Sequence, residues 1–286
     1  MSTVVQDARR EGGVRRSGRR RSRSYGGGVG PLGIGVATLW LSIIVLLPLA
    51  AVLAKSLDDG PAGLWDAINA PSARAALLFT VAVSAIVALV NVVVGTLIAW
   101  VLVRDDFRGK AFVNALIDLP FALPTIVASI VLLSLYGPNS PVDIDLYATK
   151  PAVAIALLFV TLPFVVRSVQ PVLMEVDREA EQAAASLGAG NWTIFRRVVL
   201  PALVPALLGG AGLAFARAIG EFGSVVLIGG GIPRETEVAS QYIAKQIEID
   251  RPESAAAVSV ALLVIAFAVL FILRVAAART QRHERG

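Results

Sequence analysis

Six apolar stretches, each long enough to cross a bilayer, leave this chain few ways to fold. They run over about 31–54, 76–103, 111–136, 151–173, 202–230 and 255–278. A hydrocarbon core of about 30 Å calls for about 20 apolar residues of helix. With 56% hydrophobic and 16% charged residues, the chain has the balance of a polytopic membrane protein rather than a soluble domain. The expectation is an all-α membrane protein of six transmembrane helices, its folded part spanning about 31–279. Two spans carry internal irregularities. Pro120 and Pro124 interrupt the third, each removing a backbone donor. Gly209, Gly210, Gly212, Gly220 and Gly223 soften the fifth and allow close helix approach.

The connecting segments set the expected orientation. If the N-terminus is cytoplasmic, segments 1–30, 104–110, 174–201 and 279–286 carry 17 Lys and Arg, against 6 in 55–75, 137–150 and 231–254. The positive-inside bias then places both termini, the 174–201 segment and the short tail 280–286 in the cytoplasm. The first 30 residues hold eight arginines among Ser and Gly, a composition expected to be disordered. Such an arm suits anionic headgroups of the inner leaflet. Nucleic-acid binding is the alternative, and no aromatic interleaving supports it. The apolar run that follows is too long for a cleaved signal peptide. There is no cysteine, and the one histidine, His283, lies in a charged tail, so neither a metal site nor a nucleophile–base set is visible.

The polar segment REAEQAAASLGAGNWTIFRRVVLP, residues 178–201, stands between two spans. Arg178 to Leu187 is built of strong helix formers without a β-branched residue. Gly188 and Gly190 stop that helix, Asn191 suits the N-cap of a second, and Pro201 suits the start of the fifth span. The expected result is a helix, a Gly turn and another helix. Ala183 and Ala184 offer a flat face, with Trp192 and Phe195 as buried anchors. A docking surface fits this pattern. The alternative is an amphipathic helix lying on headgroups, which the acidic Glu179 and Glu181 oppose.

The segment resembles the cytoplasmic signature of importer-type ABC permeases (the MetI-like fold). That signature reads Glu-Ala-Ala, three residues, Gly, nine residues, a β-branched aliphatic, one residue, Leu-Pro. It falls on Gln182, Ala183, Ala184, Gly188, Val198, Leu200 and Pro201. Gln182 stands where the family has Glu, with Glu181 beside it. Residues 118–127, 162–173, 217–230 and Thr236-Glu237-Val238 further resemble sulfate/thiosulfate permeases of the T type. Molybdate permeases are the near relatives. They lack the first span and carry a Pro-Pro pair at the counterpart of Leu123-Pro124-Thr125.

The resemblance implies partners: a homologous second permease (W type), two ATPase subunits (A type) and an extracytoplasmic sulfate-binding protein. In the family the loop inserts into a groove of the ATPase and passes its closure to the spans. The chain itself has no Gly-x4-Gly-Lys-Ser/Thr phosphate loop, so ATP and Mg2+ belong to the partner and this subunit is no enzyme. Function is then ATP-driven sulfate or thiosulfate import across the bacterial plasma membrane. A molybdate or other oxyanion permease is the first alternative, and a standalone carrier or channel the more distant one.

Charges within the spans need named partners. Asp118 precedes Pro120 and Pro124. It reads either as part of a flexible, pathway-lining helix or as a static kink near the headgroups. Arg167 either snorkels to the interface or pairs with Asp118 across helices. Arg217 and Glu221, four apart, are expected to share a helix face and pair. The pair is either structural or a source of positive potential for a dianion in transit.

Overall fold

The structure, a computed structural model, describes residues 31–283. The Arg-rich tail and the last three residues lie outside the described residues. The chain divides into two units, Met1–Pro48 and Leu49–Gly286. The described part of the first is helix α1 (Pro31–Leu41) and a π-helical turn (Ser42–Leu46). Its apolar side chains, Leu39 and Trp40 among them, are exposed.

The second unit begins within α2 (Leu47–Ser56) and continues through a short α3 (Gly60–Asn69) to the long α4 (Pro71–Arg104). Then come α5 (Lys110–Ala122), α6 (Thr125–Tyr136), α7 (Lys150–Glu175), α8 (Arg178–Ser186), α9 (Asn191–Ile194) and a second π-helical turn (Phe195–Val199). Helices α10 (Leu200–Ile219), α11 (Ala239–Glu248) and α12 (Pro252–His283) complete it. Among the described residues, five helices are long and apolar enough to cross a membrane, or six if the bent pair α5–α6 counts as one span. Helix α12 continues to His283, so the backbone of residues 280–283 extends it rather than forming a separate tail.

Two expected spans differ in detail. In the third, Pro120 stays inside α5, and the break falls at Leu123–Pro124, where the chain bends by 114°. A proline disfavours helical backbone in the residue before it. Leu123 accordingly takes extended backbone, φ −84° and ψ 133°. The fifth span was expected over 202–230. The helix instead runs from Asn191 to Ile219, and residues 220–238 form irregular turns. Gly220, Gly223 and Gly229–Gly231 lie in these turns, and Gly230 and Gly231 have φ of 71° and 57°. Left-handed backbone of this kind favours glycine.

Helices α4, α7 and α10 pack around one apolar cluster that includes Ala99, Val165, Val169, Leu203, Ala214 and Phe215. Small residues set the spacing. A methyl on Gly95 of α4 would stand 3.0 Å from the Val165 Cβ. One on Gly210 of α10 would stand 3.2 Å from the Val165 Cα and 3.1 Å from the Ser168 Cβ. With lipid on the outside, there is little hydrophobic gain from helix contact, so close packing of this kind holds the helices together. One buried polar bridge adds to it: Asn91 Nδ2 donates to Thr161 Oγ1 at 2.8 Å.

Side chains also satisfy the irregular backbone after α10. Ser129 Oγ of α6 accepts from the Leu227 and Ile228 amides at 3.2 Å each. Thr80 Oγ1 of α4 accepts from the Ala239 amide at 2.7 Å, at the start of α11. Gly223 touches Thr125 just past the α5–α6 break, where a methyl would come 2.9 Å from the Ile126 amide nitrogen.

Gly95→Leu is expected to force α4 off α7 and cost about 1–3 kcal/mol, as overpacking does. The check is the melting temperature of the purified protein in detergent. Gly209→Leu, with open space at its side, should melt as the parent does.

Candidate functional site

The 174–201 segment is built from two helix ends. Helix α8 begins at Asp177, whose carboxylate accepts from the Glu179 amide at 2.8 Å. Glu179 and Glu181 in its first turn complement the helix dipole. It ends in a Schellman arrangement at Gly188, φ 86°. There the Gly188 amide donates to the Ala185 carbonyl at 2.9 Å and the Ala189 amide to the Ala184 carbonyl at 3.1 Å.

Asn191, expected as a cap, is the first residue of α9; Gly190 precedes it and no side chain caps that end. Nor is the second helix separate. It runs on into α10 through the π-helical turn, where the Leu200 amide reaches back five residues to the Phe195 carbonyl. The wider turn falls just before Pro201, which has no amide to give to an α-helical bond.

Glu181 bonds to Arg104, the last residue of α4, and both side chains are mostly buried. Arg104 also lies over the Trp100 ring, 5.3 Å from its centroid. Trp100 meets Phe195 edge-on at 5.6 Å, and Phe195 stacks on Trp192 at 5.6 Å. One charge pair and three rings thus fasten α8 and α9 to the end of α4. Of the two expected anchors, Phe195 is half-buried and Trp192 is 71% exposed. Gln182, Ala183, Leu187 and Gly188 are exposed, whereas Ala184, Val198, Leu200 and Pro201 are partly covered. The exposed set makes a knob of small and apolar surface on a braced support. Trp192, expected as an anchor for a docking partner, stays open on the knob, while its stacking partner Phe195 fills the place against Trp100.

The span charges also find partners. Arg167 of α7 clasps Asp118 of α5 with two bonds, Nε to Oδ1 at 2.8 Å and Nη2 to Oδ2 at 2.5 Å. Arg167 Nη1 donates to Gln170 Oε1 at 2.7 Å and to Asn114 Oδ1 at 3.3 Å. The fork matches the carboxylate plane, and the amides take the remaining donors. Pro120 lies within α5, two residues past Asp118, and Pro124 at the bend that follows.

Arg217 Nη1 stands 2.8 Å from Glu221 Oε2. The expected shared helix face is absent, since α10 ends at Ile219 and Glu221 lies beyond it. Glu221 is buried, and its other oxygen accepts from the Ser224 amide at 2.9 Å, so the carboxylate also shapes the turn.

Sequence reasoning missed Arg104, Trp100, Asn114 and Gln170. Arg104 entered only as a loop charge. Asn114 and Gln170 carried a usable signal: polar residues one helical turn from Asp118 and Arg167. Among the described residues, no cluster of three or more His, Asp or Glu side chains is arranged to hold a metal ion.

Arg104→Ala is expected to raise amide hydrogen exchange across 178–190 by about tenfold, the loss of one partly buried ion pair. Exchange in α7 should stay as it was. A double-mutant cycle on Asp118 and Arg167 should show a coupling above about 0.5 kcal/mol in thermal unfolding; simple additivity would mean the clasp carries no energy.

Residues 91–282 match the family described as binding-protein-dependent transport system inner membrane component. A sulfate transport system permease protein CysT of Synechocystis sp. is 41% identical over 245 residues, 83% of this chain and 86% of that one. The Escherichia coli protein of the same name is 42% identical over 239 residues, 81% of this chain and 86% of that one. Among solved structures, a bacterial ABC transporter involved in import of the acidic polysaccharide alginate has a chain with the same fold. Its TM-score is 0.71 at 15% identity, covering 86% of this chain and 93% of that one. A chain of the inward-facing MetNI methionine ABC transporter gives a TM-score of 0.57 at 18% identity, over 72% of this chain and 94% of that one. The chain is therefore a multi-pass inner-membrane protein with the fold of ABC importer permeases, and it belongs to the family of binding-protein-dependent transport system inner membrane components, in the branch of the sulfate transport system permeases.

Proposed function

We propose that this chain is one of two permease subunits of an ATP-driven importer for sulfate or thiosulfate. The observation that carries the reading is the braced knob at 178–192, set on the ends of α4 and α10 in a family of transport-system membrane components. Gln182, Ala183, Leu187, Gly188 and Trp192 would enter a groove of the ATPase subunit. Glu181 faces inward to Arg104, so the acidic contact that the family takes from position 182 is absent here. ATP and Mg2+ act in that partner, two copies of it; the second permease is of the W type, and an extracytoplasmic sulfate-binding protein delivers the anion. The charge asymmetry of the loops supports a cytoplasmic 174–201 segment and two cytoplasmic termini.

The pathway follows from which charges remain accessible at membrane depth. The side chains of Arg167, Asp118 and Arg217 are 36%, 48% and 39% exposed. Charges so exposed cannot face lipid without a large cost, so their open sides face water or a partner subunit. Gly210 abuts Val165 and Ser168, which puts Arg167 near its level, and Arg217 lies seven residues farther along α10, or about 10 Å. Two guanidiniums, each balanced by one carboxylate, then stand at successive depths. A dianion meets positive potential at each and full neutralisation at neither, so it passes without being held.

Gly188→Val puts a β-branched residue at left-handed backbone, a strain of about 1–3 kcal/mol. It should release the ATPase subunit in co-purification, with the permease pair still assembled. If no ATPase co-purifies with the unaltered chain, the ABC reading fails. In vesicles holding the whole complex, Arg217→Ala should lower sulfate uptake by about tenfold or more, with Arg217→Lys intermediate. Uptake at the parental rate by an assembled Arg217→Ala complex would remove Arg217 from the pathway. Uptake of molybdate in place of sulfate would move the substrate to the alternative oxyanion.

A further inference from the structure

One polar cavity lies away from both the braced segment and the span charges. It has a volume of about 270 Å³ and opens where the α3–α4 junction, the turn at Pro233, α11 and the start of α12 meet. Its place is the Pro71 end of α4, some 50 Å by helix length from Arg104. Ser72, Glu237, Tyr242, Lys245, Arg251 and Ser254 are among the residues that line it.

Glu237 is the unusual member. It is 3% exposed, its Oε1 is 3.9 Å from Lys245 Nζ, and its Oε2 makes no hydrogen bond among the described residues. A buried carboxyl with one idle oxygen is costly unless something in the cavity answers it. Two cations, Lys245 and Arg251, border the same space. Both are exposed, and among the described residues only Lys245 of the two has an ion-pair partner, at the loose distance to Glu237. Tyr242, Ser72 and Ser254, which also line it, carry hydroxyls able to donate. The cavity is therefore rich in donors and positive charge, and its single carboxyl is the only acceptor with charge.

We propose that this cavity is a binding site for a small inorganic oxyanion such as sulfate, held by Lys245 and Arg251. It rests on the oxyanion-transport reading and adds to it a holding site at the extracytoplasmic end, outside the charges at membrane depth.

The carboxyl of Glu237 beside the bound anion sets a pH dependence. Burial raises the Glu237 carboxyl above its usual range, and the Lys245 charge partly opposes this. Burial also raises the Tyr242 phenol, with Glu237 adding to the effect and Arg251 opposing it, so Tyr242 stays a neutral donor. The other ionisable groups facing the cavity are Lys245 and Arg251. The α3–α4 junction and Pro233 bring none. An anion beside Glu237 favours its protonated form, so binding takes up a proton. Affinity then rises as pH falls toward the raised pKa and declines above it.

The test measures binding of radiolabelled sulfate to the purified transporter complex. The complex is held in phosphatidylcholine nanodiscs without the binding protein, so that no anionic headgroup competes. Mildly acidic and neutral pH are compared. The unaltered complex should bind more tightly at acidic pH. Lys245→Gln and Arg251→Gln should each weaken binding by at least about tenfold, as loss of a charge-assisted bond does, and Lys245→Arg should restore most of it. Glu237→Gln should bind at both pH values with the pH dependence gone. Binding that survives both cation substitutions, or stays pH-dependent in Glu237→Gln, overturns the site. So does the absence of binding in a complex that imports sulfate, which leaves the transport reading standing. A complex that binds sulfate here but imports none removes the transport reading and leaves the site.

Discussion

No water is present in a bilayer core to take up a free amide, and that constraint orders nearly everything in this protein. Where the chain is helical the requirement meets itself. Where it is not, the substitutes are specific: Ser129 for Leu227 and Ile228, Thr80 for Ala239, and Glu221 for Ser224. The irregular stretch 220–238 therefore takes acceptors from α6 and from within itself, and its join to α11 takes one from α4. Its glycines do the complementary work by letting backbone come up to backbone, as at Gly223 against the Ile126 amide. The same logic explains the π-helical turn before Pro201. A chain that must place Leu-Pro at the start of a span widens one turn, and the Leu200 amide finds a carbonyl five residues back.

The two proline sites of the third span show where reading by composition stops. Pro120 and Pro124 look alike in sequence, yet only the second ends a helix. The difference lies in the preceding residue, since Leu123 goes to extended backbone while Leu119 stays helical within α5. Apolar length made five spans and the bent pair α5–α6 legible, though not the ends of the fifth, because lipid gives each helix its own reason to form before any tertiary contact. Pairings across the sequence were less visible. Asp118 and Arg167 were one of two open choices, and the amides Asn114 and Gln170 that complete the clasp went unread. The bond between Arg104 and Glu181 joins residues 77 apart, and no local periodicity reports it. Glu221 was placed on a helix that ends before it, because glycine content in the fifth span read as softness and not as termination.

The brace on the 174–201 segment changes what its signature means. A loop on flexible ends would absorb a push from a partner. Here α8 is held by an ion pair to α4, while α9 is continuous with α10. Rings from both helices interlock between them: Trp100 of α4, Phe195 of the turn and Trp192 of α9. Displacement of the knob therefore reaches two spans by two different routes, one through a charge pair and one through unbroken helix. Since α7 packs on both, the Asp118–Arg167 clasp and the bent pair α5–α6 lie next in line.

The continuous helix from Asn191 to Ile219 comes close against α7 at Gly210. Trp192 lies 18 residues to one side of that crossing and Arg217 seven to the other, or about 27 Å and 10 Å along the axis. The rod is thus a first-class lever with unequal arms. A rocking motion about the crossing carries its two ends in opposite directions and shrinks the travel at Arg217 by about two and a half times. Force rises in the same proportion. The glycine that lets α10 sit against α7 is, in mechanical terms, the fulcrum.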